Sequence, residues 1–204
     1  MVGLPQPAMA MGDAAADLTG SEAWVIARAQ RDAAAFAPLY EAYFDAVYRY
    51  CHARLGDGQA AEDAASQVFT NALAALPRYR ADERPGAFRS WLFTIAHNVV
   101  ANQHRSRARR PVGSLADADE VVDAGPSPED EAVAVEARQT IQSVLGHLTE
   151  EQRRVVELRL AGLTDVEIAR VIGRKHGAVR AAQYRALLKL RMLLAPGPEE
   201  PSDG

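Results

Sequence analysis

The residues of this 204-residue chain that could do chemistry are cations and aromatics. Between Arg84 and Arg110 lie Arg84, Arg89, Arg105, Arg107, Arg109 and Arg110, with no acid among them. A second block, Arg170 to Arg191, holds seven Lys and Arg and again no acid. Between the blocks, Pro111 to Glu136 carries eight acids and no base. The net charge of -4 alone argues against a polyanionic partner, but its distribution argues for one. Two basic blocks around an acidic one suggest two phosphate-binding surfaces and a linker. Tyr79, Phe88, Trp91 and His97 lie among Arg80, Arg84 and Arg89. Holding an unpaired base takes an apolar or aromatic pocket, polar edges and a cationic wall. Phe88 and Trp91 read as core residues, whereas Tyr79 sits in a polar loop where its ring can serve binding.

Catalytic chemistry has no comparable support. There is no Gly-rich phosphate loop and no Ser/His/Asp or metal-ligand grouping. His97 and His104 are seven apart and could share a helical face, but no acid is paired with them. Cys51 is the single cysteine, which rules out an intramolecular disulfide and a cysteine-based zinc site. It lies in an apolar helical stretch and reads as a buried, inert thiol. The expectation is a protein that is not an enzyme and needs no cofactor or metal. No basic region followed by a long apolar run opens the chain, and no segment approaches 18 uninterrupted apolar residues. A cytoplasmic protein without a membrane span is expected.

These residues must be positioned by helices, because alanine, leucine, arginine and glutamate abound, aromatics are few, and no alternating strand pattern occurs. Hydrophobic content of 48% is enough for buried cores. Residues 1–20 read as a disordered tail. A helical pattern spans Glu22 to Leu55, with Phe36, Leu39, Tyr40, Tyr43, Phe44, Val47, Tyr48 and Cys51 at steps of three and four. Gly56-Asp57-Gly58 breaks it. A second helix is expected from Gln59 to Leu76, and Pro77 stops it. The loop 77–86 follows, then a third helix from Ala87 to Ser106 with Phe88, Trp91, Leu92, Ile95, Ala96 and Val99 facing the core. Together these make a helical domain over 21–110. Residues 111–130 are rich in acids, Pro, Gly and Ser and read as a flexible linker. A second helical domain covers 131–194, with helices from Glu131 to Leu145, from Thr149 to Leu160, from Thr164 to Ile172 and from Gly177 to Leu194. Residues 195–204 form a tail. The fold class is all-α, two helical domains joined by an acidic linker.

Within 149–194, Thr149-Glu-Glu-Gln and Thr164-Asp-Val-Glu are two capping boxes. A short capped helix, a turn containing Gly173 and a basic amphipathic helix make a helix-turn-helix. Val179, Ala182, Ala186, Leu187, Leu190 and Leu194 supply the apolar side of the last helix. Arg180, Gln183, Tyr184 and Arg185 are left to face DNA. Arg can bond guanine edges or phosphate and Gln can bond adenine. The helix start near Gly177 offers free N–H groups to a phosphate, with Lys175 and His176 beside it.

The stretch LTEEQRRVVELRLAGLTDVEIARVIGRKHGAVRAAQYRALLKLR resembles the C-terminal promoter-binding domain, domain 4, of the sigma-70 family, in its extracytoplasmic-function (ECF) group. The stretch AFAPLYEAYFDAVYRYCHARLGDGQAAEDAASQVFTNALAALPRYR, followed by AFRSWLFTIAHNVVANQHRSRARR, resembles domain 2 of the same group. The resemblance implies a transcription initiation factor that brings core RNA polymerase to a promoter and helps open it. By the same resemblance, the helix holding Glu62, Asp63 and Gln67 docks on the beta-prime subunit, and the beta subunit is also a partner. The loop with Tyr79 and Arg80 corresponds to the one that captures a flipped minus-ten base. Arg84, His97, Asn98 and Arg105 belong to the same surface, and Arg107, Arg109 and Arg110 would hold phosphates. Arg180, Tyr184 and Arg185 match minus-thirty-five positions. In this group an anti-sigma protein often covers the polymerase-binding surface. The free protein is expected to be a monomer. A stand-alone helix-turn-helix regulator is the competing reading, but it leaves the aromatic and basic block of 77–110 and the acidic linker without a role.

Overall fold

The computed structural model describes residues 22–80, 82, 84–109 and 143–194. The linker and both tails therefore lie outside the described residues. Among the described residues every regular element is helical, and the chain divides into two units near Ala101.

The first unit is built from α1 (Glu22–Ala29), a 3-10 turn (Ala33–Phe36), α2 (Ala37–Leu55), α3 (Gly58–Ala75) and α4 (Ala87–Arg109), which runs past the division. The helical pattern of Glu22 to Leu55 is thus two helices instead of one. Its periodicity is continuous, but Asp32 turns its carboxylate onto the Ala34 N–H at 3.0 Å and caps a new start. Pro38 lies in the first turn of α2, where its missing N–H is no loss. Gly56 then ends α2 at φ 71°, a conformation only glycine adopts freely, and donates its N–H to the His52 carbonyl. Asp57 caps α3 by accepting from the Ala60 N–H at 2.7 Å.

The α2–α3–α4 core holds Leu39, Val47, Tyr50, Cys51, Val68, Ala72, Phe88, Leu92, Phe93 and Val100, all essentially out of solvent. Tyr50 and Phe93 were not expected in it. They meet edge-on at 5.7 Å; Tyr50, seven residues after Tyr43, lies on the stripe already expected of α2, whereas Phe93 widens the buried face of α4 beyond the expected stripe. Conversely Trp91 and Ile95 are half-buried and Tyr40 is 40% exposed, at the core's rim. Cys51 is fully buried, and burial pushes its thiol up to about 12, in keeping with an inert role.

The second unit comprises a helical turn over 143–146, then α5 (Glu150–Leu160), α6 (Asp165–Ile172) and α7 (His176–Leu194). Both capping boxes form. Gln152 N–H reaches Thr149 Oγ1 and Glu167 N–H reaches Thr164 Oγ1, while each N3 side chain accepts from its N-cap N–H. Both helices also end alike. At the end of α5, Leu163 N–H bonds Leu158 O and Gly162 N–H bonds Arg159 O. At the end of α6, Arg174 N–H bonds Ala169 O and Gly173 N–H bonds Arg170 O. Gly162 at φ 87° and Gly173 at φ 65° make these paired bonds possible. The turns are therefore tight, and α6 and α7 are separated by only Gly173, Arg174 and Lys175. Leu158, Leu163, Ile168, Val179, Ala182 and Ala186 fill the core between α5, α6 and α7.

Candidate nucleic-acid interface

In the second unit, α7 presents two unlike sides. Val179, Ala182 and Ala186, at steps of three and four, are buried. Arg180 and Tyr184 stand four apart on the opposite side, with Tyr184 65% exposed. Arg185 is exposed about 100° further round the helix. Lys175 and His176 are exposed where α7 begins. An exposed tyrosine between two arginines, on the second helix of a helix-turn-helix, offers guanidinium forks for guanine edges or phosphates and a ring for a thymine methyl.

Gln183 differs from its expected place. It is half-buried, and its Oε1 accepts from Arg159 Nη2 of α5 at 3.3 Å. His176 also has an internal neighbour, since its Nε2 lies 3.7 Å from Asp165 Oδ2. Arg159 and Asp165, which form an ion pair, were not singled out from sequence. They sit six residues apart across a turn, and only the folded turn brings them together.

The expected apolar side of α7 is not wholly covered by the described residues. Leu187 is 49% and Leu194 64% exposed. With Val144, Val156, Leu160 and Leu190 they line an apolar groove of about 320 Å³.

In the first unit, Gln30 of the segment after α1 fixes the loop by donating Nε2 to the carbonyls of Leu76, at 3.1 Å, and Tyr79, at 2.7 Å. Tyr79 is half-buried. Its ring lies 4.8 Å from Trp91 and edge-on to Phe88 at 5.6 Å. Burial, and then the negative charges of Glu22 and Asp82, push its phenol above the usual range, so it stays neutral. Phe88, at 1% exposed, is a core residue as expected; Trp91 is the rim on which Tyr79 leans.

Arg80 is exposed. Arg84 is also exposed, but its guanidinium is paired with Asp82, which bonds both its Nε and its backbone N–H. That bond holds the Arg84 charge even more firmly. On α4, Asn98 is exposed, while His97 is half-buried with Nδ1 3.1 Å from the Tyr50 hydroxyl. Arg105 is exposed and bonds Asn102 Oδ1. The side chains of Arg107 and Arg109, and all of Arg110, fall outside the described residues.

On α3, Glu62, Asp63 and Gln67 are all exposed on the side away from buried Ala61, Ala65 and Val68, and Gln67 Nε2 donates to Asn71 at 2.8 Å. They form an acidic and amide-bearing helical face with no cation on it, which does not suit a phosphate. Among the described residues no group of His, Cys, Asp and Glu could hold a metal, and no helix is long and apolar enough to cross a membrane.

Comparison with known proteins matches residues 39–110 to Sigma-70 region 2 and residues 138–190 to Sigma-70, region 4. The ECF RNA polymerase sigma factor BldN of Streptomyces coelicolor is 38% identical over 175 residues, which cover 83% of this chain and 64% of that protein. The chain thus spans somewhat less than two thirds of BldN. The ECF RNA polymerase sigma factor ShbA of Streptomyces griseus is 38% identical over 71% of this chain and 80% of its own length. Among solved structures, CnrH in complex with the cytosolic domain of CnrY superimposes with a TM-score of 0.64 at 25% identity, over 83% of this chain and 94% of that one.

Proposed function

The chain belongs to the ECF group of the sigma-70 family, and from that premise we propose that it is a transcription initiation factor: it binds core RNA polymerase, recognises a promoter through both units and promotes DNA opening. One observation carries the reading. A polar docking face, an aromatic and basic loop, and a helix-turn-helix with an outward Arg and Tyr occur in one chain, in the family's order. A stand-alone regulator would use only the last of them.

In this reading α7 lies in the major groove of the minus-thirty-five element. Arg180, Tyr184 and Arg185 contact the DNA, and Lys175 and His176 hold phosphate at the helix start. The first unit receives the minus-ten element. Opening DNA exposes unpaired bases, which stack on aromatic side chains and are flanked by cations. The Tyr79–Trp91 rim offers that stacking surface, Asn98 offers donor and acceptor groups for a base edge, Arg80, Arg84 and Arg105 make the cationic wall, and His97 adds an imidazole to the same surface. Arg84 would have to trade Asp82 for phosphate, so it contributes less than its charge suggests. Glu62, Asp63 and Gln67 meet the beta-prime subunit. The domain limits are taken as 21–110 and 131–194, with 111–130 as the linker between them. Family membership adds an anti-sigma protein as a competitor for the polymerase-binding surface. The chemistry of transcription stays with the polymerase, and the protein works in the cytoplasm beside it.

The test is reconstitution. Mixed with core polymerase, the full chain should co-elute with it in gel filtration, and Asp63→Arg should abolish co-elution while leaving the helical content of the free chain unchanged. Co-elution unaffected by Asp63→Arg would remove α3 as the docking face, and no co-elution of the natural chain would remove the function itself.

A further inference from the structure

Resting on the promoter reading above, we infer that Gln183 is not a base reader but the α7 anchor of a clamp, built by Arg159 and Asp165, that sets the orientation of the recognition helix. Arg159 is the centre of the clamp. Its Nη1 donates to the Leu163 carbonyl at 2.9 Å, which ties the end of α5 to the turn that follows. Its Nη2 donates to Gln183 Oε1 at 3.3 Å on α7 and pairs with Asp165 in the first turn of α6. Asp165 Oδ2 in turn faces His176 Nε2, the first residue of α7, at 3.7 Å. One guanidinium and one carboxylate thus join all three helices of the helix-turn-helix.

The spacing on α7 makes this a device for orientation. His176 and Gln183 are seven residues apart, close to two full turns, so they lie on one stripe of the helix roughly 10 Å apart. The Gln183–Arg159 bond restrains rotation of α7 about its axis, and Asp165 lies near the start of the same stripe. The residues that face outward, Arg180 and Tyr184, lie on a different stripe. A helix rotation of about 10° moves a side-chain atom roughly 6 Å from the axis by about 1 Å. Hydrogen bonds to base edges tolerate only a few tenths of an ångström.

Gln183 as a base reader would have to turn its amide away from Arg159, which would give up its one tie to α7 and keep only the Leu163 carbonyl and Asp165. Gln183→Glu separates the two roles. A glutamate keeps the oxygen that accepts from Arg159, so it preserves the clamp. It loses the donor that adenine requires and instead accepts from cytosine.

The experiment starts from a promoter that the natural chain transcribes with core polymerase. Its upstream element is randomised, and fragments bound by reconstituted holoenzyme are sequenced for the natural chain and for Gln183→Ala, Gln183→Glu, Arg159→Ala and Arg180→Ala, each first checked for helical content. The expected result is one enriched sequence shared by the natural chain and both Gln183 variants. Gln183→Glu should bind with nearly natural affinity, whereas Gln183→Ala and Arg159→Ala should bind about three- to tenfold more weakly at every sequence. Arg180→Ala should flatten the preference at particular base pairs. A changed base preference in either Gln183 variant would overturn the inference and leave the promoter reading standing. Affinity unchanged in Gln183→Ala would overturn it as well, and these two variants decide the matter even if Arg159→Ala fails to fold. No promoter transcribed by the natural chain would overturn the promoter reading and the inference with it.

Discussion

Thr149 and Thr164 open helices with the same motif, and their replacement by alanine should have unequal consequences. At Thr149 the loss is one exposed cap. The hydroxyl accepts from the Gln152 N–H at 3.3 Å, and the partner side chain is neutral. Such a cap is worth about 1 kcal/mol. At Thr164 the hydroxyl also accepts a cap bond, from the Glu167 N–H, but it additionally donates to Glu167 Oε2 at 2.7 Å. Glu167 is only 5% exposed, so Thr164→Ala strips a buried carboxylate of one of its donors and leaves it the Thr164 N–H. A hydrogen bond to a charged group adds about 1.5–3 kcal/mol to the cap, for a total of roughly 2.5–4 kcal/mol. Amide hydrogen exchange of the intact chain reads the difference locally. Exchange in α6 should accelerate at least about 30-fold in Thr164→Ala, against about fivefold in α5 for Thr149→Ala. Thr164→Ser, which keeps the hydroxyl, should restore most of the protection. Equal acceleration in the two alanine variants, or no rescue by serine, would refute the claim that the Thr164–Glu167 pair carries more than a cap.

Arg180→Ala should weaken holoenzyme binding to its promoter by about 1–3 kcal/mol at the base pairs it contacts, measured by fluorescence anisotropy on matched fragments. Lys175→Ala should weaken all sequences alike and reduce the slope of log affinity against log salt by about one phosphate's worth. Asn98→Ala should leave polymerase binding intact and impair opening, read by permanganate reactivity of minus-ten thymines; normal opening would take Asn98 out of the site. Cys51 should resist alkylation at pH 8 in the folded chain. Burial pushes its thiol from 9 up to about 12, so its contribution to stability should be full below pH 9 and be lost as pH rises toward 12, which makes the alkaline decline in a denaturant titration shallower in Cys51→Ala.

Local signals in the sequence were sufficient wherever one residue type settles the geometry. Gly56, Asp57, the two Thr capping boxes and Gly173 each end or start a helix where their chemistry requires it. The helix-turn-helix followed from those signals and the Val179–Ala182–Ala186 stripe. Tertiary choices were less legible. The periodicity of 22–55 hid the break at Asp32, because apolar spacing does not register a side chain that folds back on its own backbone. Phe93 was missed because α4 buries a wider face than the stripe its spacing suggested, whereas Tyr50, seven residues after Tyr43, lies on the expected stripe of α2. Residue type alone assigned Gln183 to DNA, and its bond to Arg159 depends on how α5 and α7 cross. Likewise the run of cations from Arg84 onward looks unopposed in one dimension, yet Asp82 just before it neutralises the first of them.

This chain should direct core polymerase to promoters. Run-off transcription on fragmented genomic DNA from its own bacterium, with core polymerase in the presence and absence of the full chain, tests it most directly. Discrete transcripts should appear only with the chain and disappear with Asp63→Arg. Transcripts identical with and without the chain, together with no binding to core polymerase, would contradict it.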